Sequence, residues 1–566
     1  MKEMMYSELV EVYDNLALTS KRLEKVRVLA EFLKKLKKEG KSEWIYLIKG
    51  RAVPDYDSRE IGISTQLAIK AIGNSFGIRN DDVVKKYRKI GDLGEIAEEF
   101  SSKRKQGNLF SGKLSVGKVF ENLRKIMIIE GKGAVDKKLG LISEILALSS
   151  SKDAKYIIRT LLSDLRVGVA DGIIRDGIAE AFFSSDKDGI ANLLDEAFGL
   201  SNDFAVVLNA AAEGKEALKR IEITPGKPIN VMLAVKAESI EEAFKICGKP
   251  AAFEYKYDGF RVVISKGKGE IKLFTRRLED VTKQFPDVIK NVSENVTGDT
   301  FILDSEIVGY DKKTGKYTPF QAISQRIRRK YDIDKLERNL PVEINVFDVI
   351  YYNGKNFLET KFLERRKLLE KIVKSKKFKI RLSEQIITDD QKKAEQFYKK
   401  ALDAGEEGLM IKNLNVGYKQ ARRVGFIAKL KPSVKDLDLV ITGAEYGSGK
   451  RGGWITSYYV SCINGENLLE VGKVSSGLKE KENDDGNVTY EEMTKMLKPL
   501  IIEEKGNYVK VKPRVVVSVT YQNIQKSPSY SSGYALRFPR ITAYRPDRDI
   551  KDITSLKEIE KGTNAK

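Results

Sequence analysis

The sequence predicts three domains in series. They are an all-α domain over residues 1–222, an α+β domain with largely antiparallel sheets over 223–431, and a small β-barrel over 432–566. Three observations carry this. Apolar residues recur at three- and four-residue spacing as far as about Ala212. A Pro/Gly cluster at Thr224-Pro225-Gly226-Lys227-Pro228 then ends the helical period and opens a strand-rich stretch. After Pro432 the strand signals become short and closely spaced. A chain of 566 residues is in any case too long for one core and suggests roughly three to four domains.

The first domain opens with Leu23, Val26, Leu29, Leu33 and Leu36, one apolar stripe after a Thr19-Ser20 start signal, with lysines opposite. The same period returns at Val119, Leu123 and Ile126, and from Tyr156 to Leu165. The turn from Leu165 to Gly172 sets small residues beside Arg166, which suits either an ordinary helix connection or a close approach of backbone amides to a phosphate. Between these helices, Ser101 to Ser111 is polar and basic with Leu109-Phe110 near its end. An apolar pair there needs somewhere to dock, in a partner or in the domain's own core.

In the second domain, Arg261 to Ser265 and Ile271 to Thr275 flank Lys266-Gly267-Lys268-Gly269, a hairpin signal. Phe301 to Val308, Ile344 to Tyr352 and Leu409 to Lys412 read as further strands, and Glu364 to Val373 and Lys392 to Leu402 as covering helices. In the third, Leu437 to Thr442, Ser457 to Ile463, Leu468 to Val471 and Val515 to Tyr521 are spaced as in a barrel of the OB type. The Ser555 to Lys566 tail is expected to fray.

Composition restricts the chemistry. Lysine and arginine number 102 against 81 acidic residues, a net charge of +21, which favours a polyanionic partner such as nucleic acid; Lys/Glu enrichment for heat adaptation is the other source of such a balance. With no histidine, imidazole is excluded as base, switch or metal ligand. Cys247 and Cys462 are too few for a cysteine zinc site or a disulfide framework, which fits a reducing, cytoplasmic location. No stretch approaches the ~18 consecutive apolar residues of a membrane span.

The candidate centre is Phe253-Glu254-Tyr255-Lys256-Tyr257-Asp258-Gly259-Phe260-Arg261, which holds the Lys256 amine at the end of a strand beside a tight turn. A lysine attacks only once deprotonated, so neighbouring cations or burial must prepare it. Arg276 follows the hairpin. Glu306 lies on the strand face opposite Leu303 and Ile307, where a carboxylate can bind a ribose hydroxyl or a metal or simply face solvent. Phe347 suits either base stacking or a core. Glu407 precedes a buried strand, and Lys429 and Lys431 share a face, which with Arg423 would surround a triphosphate.

Taken in order, these stretches resemble the ATP-dependent DNA ligase family in its archaeal form, within the covalent nucleotidyltransferases. Lys256-Tyr257-Asp258-Gly259 looks like motif I, Leu303 to Gly309 like motif III, Phe347-Asp348 like motif IIIa, Glu407 to Lys412 like motif IV, and Lys429-Leu430-Lys431 like motif V. Thr275 to Thr282 resembles the intervening arginine motif, and Leu536 to Arg548 resembles motif VI, with Arg548 where the family often has lysine.

The resemblance implies that Lys256 attacks the α-phosphorus of ATP to form lysyl-AMP, that the adenylate passes to the 5′-phosphate of nicked double-stranded DNA, and that the 3′-hydroxyl then seals the strand. It also implies roles. Glu254 contacts the adenine edge and Phe347 stacks on it; Arg261, Arg276 and Arg423 hold ribose and phosphates; Glu306 and Glu407 serve ribose or Mg²⁺; Lys429 and Lys431 neutralise the α-phosphate. By the same resemblance the chain acts as a monomer, and Gln106 to Phe110 falls where archaeal relatives carry a sliding-clamp-binding motif. Other readings are an RNA ligase or capping-type nucleotidyltransferase, which the long helical domain argues against, and a non-catalytic nick-binding or clamp-partner protein, which would not need the nucleophile.

Overall fold

The computed structural model describes residues 3–103, 114–185, 189–328, 332–420, 423–432, 435–447, 451–480 and 488–564. The Gln106–Phe110 segment lies outside them, as does the side chain of Arg423. The chain folds as two compact units, Met1–Lys431 and Pro432–Lys566. No helix among the described residues is long and apolar enough to cross a membrane.

The first part of the larger unit is helical, as the spacing predicts. Helix Arg22–Lys38 buries Val26, Leu29, Leu33 and Leu36 in one large core, while Leu23, in its first turn, stays 73% exposed and lies outside the stripe assigned to it. Helix Ser151–Leu161 stops short of the expected Leu165 because Ser163 takes a left-handed conformation. The following Leu165–Ala170 loop is pinned from beneath, since buried Lys25 donates to the carbonyls of Val167 and Gly168 at 2.6 and 3.1 Å. Arg166 ties the loop down through Asp92 at 2.8 Å and the Gly91 carbonyl at 3.2 Å.

Two sheets follow. The first has five strands in the order Leu233–Ala237, Arg423–Leu430, Gly408–Asn413, Ala251–Lys256, Gln385–Thr388, antiparallel except for the first pair. The second has seven, built on the run Glu270–Thr275, Phe260–Gly267, Phe301–Tyr310, Val342–Tyr352. Its hairpin turns at Lys268 and Gly269, both at positive φ, the two-residue turn that matches strand twist. Each sheet covers its outer face with helices, and Phe362–Ile372 packs on Val342–Tyr352. At the joint with the helical part, the buried Asn202 amide donates to the Pro228 carbonyl at 3.2 Å and Asn202 accepts from the Asn230 amide.

In the smaller unit the long strand Leu437–Tyr446 pairs with three neighbours: Ile455–Asn464 along one side, and Tyr508–Val511 and Val516–Thr520 in succession along the other, with Arg540–Tyr544 added to Val516–Thr520. One strand shared in this way curls the sheet, as an OB barrel requires. The tail does not fray as expected: Leu556–Asn564 is a helix, started by a Ser555/Glu558 box and anchored by fully buried Ile559.

Candidate active site

Lys256 ends the strand Ala251–Lys256, and residues two apart on a strand share a face. Register sets Gln385 and Met410 beside Glu254, and Lys429 beside Met410. Glu254, Lys256, Gln385 and Lys429 therefore look out from one face of the first sheet. The opposite face buries Phe253 and Tyr255 with Phe244 and Phe397.

Two glycines let the elements close on one another. A Cβ at Gly259 would stand 2.3 Å from the Ile307 carbonyl oxygen and 3.0 Å from Glu306 Cγ, so the turn after Lys256 packs on the Glu306 strand only because it is bare. Gly408, at φ +140°, would place a Cβ 2.1 Å from the Leu430 carbonyl oxygen.

Around Lys256 the charges are shared. Its Nζ lies 2.6 Å from Glu407 Oε2, and Lys431 Nζ reaches the same oxygen at 2.7 Å. Burial works against the Glu407 carboxylate, but Lys256 and Lys431 outweigh it and hold the group well below its ordinary range. Burial and the charge of Lys256 push the Lys431 ammonium down against the pull of Glu407. Across from them, burial raises the Glu306 carboxyl to about 7, with Lys256 and Arg261 pulling it back and Glu407 adding repulsion. Among the described residues no group of three or more acids or cysteines is placed to hold a metal.

Glu254 is only 2% exposed. Lys412 Nζ is 2.7 Å from its Oε2, and Gln385 Nε2 donates to its Oε1 at 2.7 Å. Lys412 also donates to the Phe347 carbonyl at 3.2 Å and sits 4.7 Å from that ring, joining the two sheets. Phe347 is the extra residue at a bulge, since Asp304 pairs with Asp348 and Ser305 with Val346; it is half-buried, not core.

The arginines differ from one another in their engagement. Arg261 binds Asp304 through Nε at 2.9 Å and Nη2 at 2.5 Å, the Met232 carbonyl through Nη1 at 2.8 Å, and the Tyr418 hydroxyl at 3.2 Å. A guanidinium has five N–H donors, so at most one is left for a ligand. Arg276 is exposed in the turn beyond its strand. In the smaller unit Arg545 and Arg548 both pair with Asp438, at 3.0 and 3.3 Å.

Sequence reasoning missed Lys412, Gln385, Asp304 and Tyr418 as site residues. Lys412 carried a signal, a lysine in phase with Met410 inside an otherwise apolar strand; Gln385 carried none.

The comparisons agree with this geometry. Residues 231–431 match the family model described as ATP dependent DNA ligase domain, residues 5–179 that of DNA ligase N terminus, and residues 451–548 that of ATP dependent DNA ligase C terminal region. The DNA ligase of Nanoarchaeum equitans is 44% identical over 98% of both chains, and that of Thermococcus fumicolans 40% identical over 98% of both. A solved structure named Pmar-Lig_PreS3 shares the fold over 95% of this chain and 99% of its own, with a TM-score of 0.57 at 18% identity. Full-length similarity of this order, together with a lysine, two acids and paired cations converging at the end of one strand, means that the chain belongs to the ATP-dependent DNA ligase family.

Proposed function

We propose that this chain seals nicks in double-stranded DNA using ATP, with Lys256 as the nucleophile. The observation that carries this is the Lys256–Glu407–Lys431 cluster at a strand end facing Glu306. Lys256 sheds a proton and its Nζ bonds to the α-phosphorus of ATP as the bond to pyrophosphate breaks. A 5′-phosphate oxygen at the nick then takes the adenylate from Lys256. Finally the 3′-hydroxyl attacks the phosphorus of the DNA 5′-phosphate, whose bond to AMP breaks, so that AMP leaves and a phosphodiester remains.

Each named residue has a part. Lys429 and Lys431 stand where charge builds on the α-phosphate, and Lys431 can leave Glu407 for it. Glu254 accepts from adenine while Phe347 lies against the base. Arg276 and Arg423 meet ribose and phosphates, and Arg261 joins them with the one donor that Asp304, Tyr418 and Met232 leave it. Glu306 and Glu407 fit Mg²⁺: both are oxygen donors in a buried site where their mutual repulsion favours a cation, and two carboxylates leave room for substrate phosphates and water. When bound, Mg²⁺ would polarise the phosphate oxygens.

The proposal extends to the whole chain. Residues 1–222 bind the duplex, 223–431 carry adenylation and 432–566 form the third, mobile domain. A monomer acts in the cytoplasm, and the Gln106–Phe110 segment meets a sliding clamp. Incubation with α-labelled ATP tests the centre. Wild type should acquire acid-labile, alkali-stable label, Lys256→Ala should acquire none while still binding nicked DNA, and label that survives the substitution would refute the assignment.

A further inference from the structure

Arg366, on helix Phe362–Ile372, is 8% exposed. Its Nη2 donates to the Ser383 carbonyl at 3.1 Å and its Nε reaches Glu370 Oε1 at 3.5 Å. Its Nη1 is buried and makes no hydrogen bond. The acid oxygen it faces, Glu254 Oε1, is 3.9 Å away, close enough for charge pairing and too far for a hydrogen bond. Leaving a buried donor unmatched is costly, so each one calls for an account: strain, a water or ion, or a ligand that accepts from it.

The wall beside it is already organised. Glu254 Oε1 accepts from Gln385 and Oε2 from Lys412, each at 2.7 Å. A carboxylate oxygen has two acceptor positions, so each retains one. An acceptor with spare capacity and an unmatched donor therefore stand side by side. Adenine presents the complement along one edge: an exocyclic amine that donates, next to a ring nitrogen that accepts. Guanine presents the reverse, a carbonyl beside a protonated ring nitrogen. Arginine suits the task because two of its three nitrogens are anchored, which fixes the direction of the third.

We propose that Arg366 is a specificity-determining residue, donating through Nη1 to the adenine ring nitrogen beside the amine that Glu254 accepts from. This rests on the reading that Lys256 takes AMP from ATP with the base against Glu254. The pair reads donor and acceptor together, so the wrong base leaves both groups unmatched. A hydrogen bond to a charged group is worth roughly a 10- to 100-fold change in affinity.

The test measures covalent nucleotidylation of the full chain with α-labelled ATP, 1-deaza-ATP, 7-deaza-ATP and GTP, in wild type and Arg366→Met, with thermal melting of both. Wild type should lose about 10- to 100-fold in kcat/KM with one deaza analogue and more with GTP. In Arg366→Met that analogue penalty should vanish, with KM for ATP raised and kcat within about threefold. A variant that keeps the penalty overturns the proposal. Should the variant fail to melt cooperatively, wild type decides alone: equal kcat/KM for ATP and both deaza analogues overturns it. Absence of any adduct with ATP in folded wild type would instead refute the Lys256 reading.

Discussion

Single side chains here hold more than one structure in place, and Asp92 shows what that is worth. It is 4% exposed, caps its own helix through the Gly94 amide, and binds Arg159 at 2.6 Å and Arg166 at 2.8 Å. Burial opposes its charge, but Arg159 and then Arg166 outweigh it and hold the carboxyl below its ordinary range. A depressed folded value means stability present above the unfolded value, near pH 4, and lost as pH falls through the folded one. Asp92→Asn should therefore cost about 3 kcal/mol in urea denaturation at neutral pH. The gap to wild type should be level from pH 8 to 5 and narrow below pH 4; a gap unchanged at pH 3 would show that the charge contributes nothing. At this scale the Lys256 stretch stood out only within a series: a lysine with Asp-Gly two residues on is too short a signal alone, and the motifs that follow it in order give it weight. Arg366 was not legible, since Arg365-Arg366 on an amphipathic helix reads as solvated surface, and only tertiary packing turns both inward.

Elements were legible where the chain must do something only certain residues allow. Lys268-Gly269 announced its hairpin because that turn demands positive φ. The Leu556–Asn564 helix went unread although Ser555 and Glu558 spell a capping box; its polar composition hid the single face carrying Ile559. The pairing of Gly408–Asn413 with Arg423–Leu430 gives the sharpest test at this level, because Gly408 is where backbone approaches backbone. A methyl group there meets the Leu430 carbonyl oxygen in a conformation that L-residues avoid. Gly408→Ala should destabilise the larger unit by about 2 kcal/mol or more and slow adduct formation beyond what that loss explains, because Glu407 and Lys431 flank the contact. An adduct rate within twofold of wild type would show that the strand end can move without disturbing the site.

For the whole molecule, charge separates two kinds of contact. The net charge of +21 is spread along a chain whose compact units divide directly after Lys431, so the cation that shares Glu407 with Lys256 is also the last residue before the division. The half-buried Lys256–Glu407–Lys431 cluster is screened less by salt than exposed charges, whereas contacts between surface lysines and DNA phosphates depend on counterion release. Nicked-duplex binding and adduct formation with ATP should therefore respond differently. If about six phosphates are neutralised, binding should fall roughly a thousandfold between 50 and 200 mM salt, with a log–log slope near −5. Adduct formation at saturating ATP and Mg²⁺ should change by no more than about threefold over that range. Fluorescence anisotropy on a labelled nick and label transfer from ATP, run in the same buffers, separate the two. Parallel slopes would mean that the site at Lys256 is open to solvent and that DNA is held by something other than the excess of lysine and arginine. A steep slope for DNA with a flat one for ATP would place recognition of the nick on the outer surface and the chemistry at the half-buried Lys256–Glu407–Lys431 cluster.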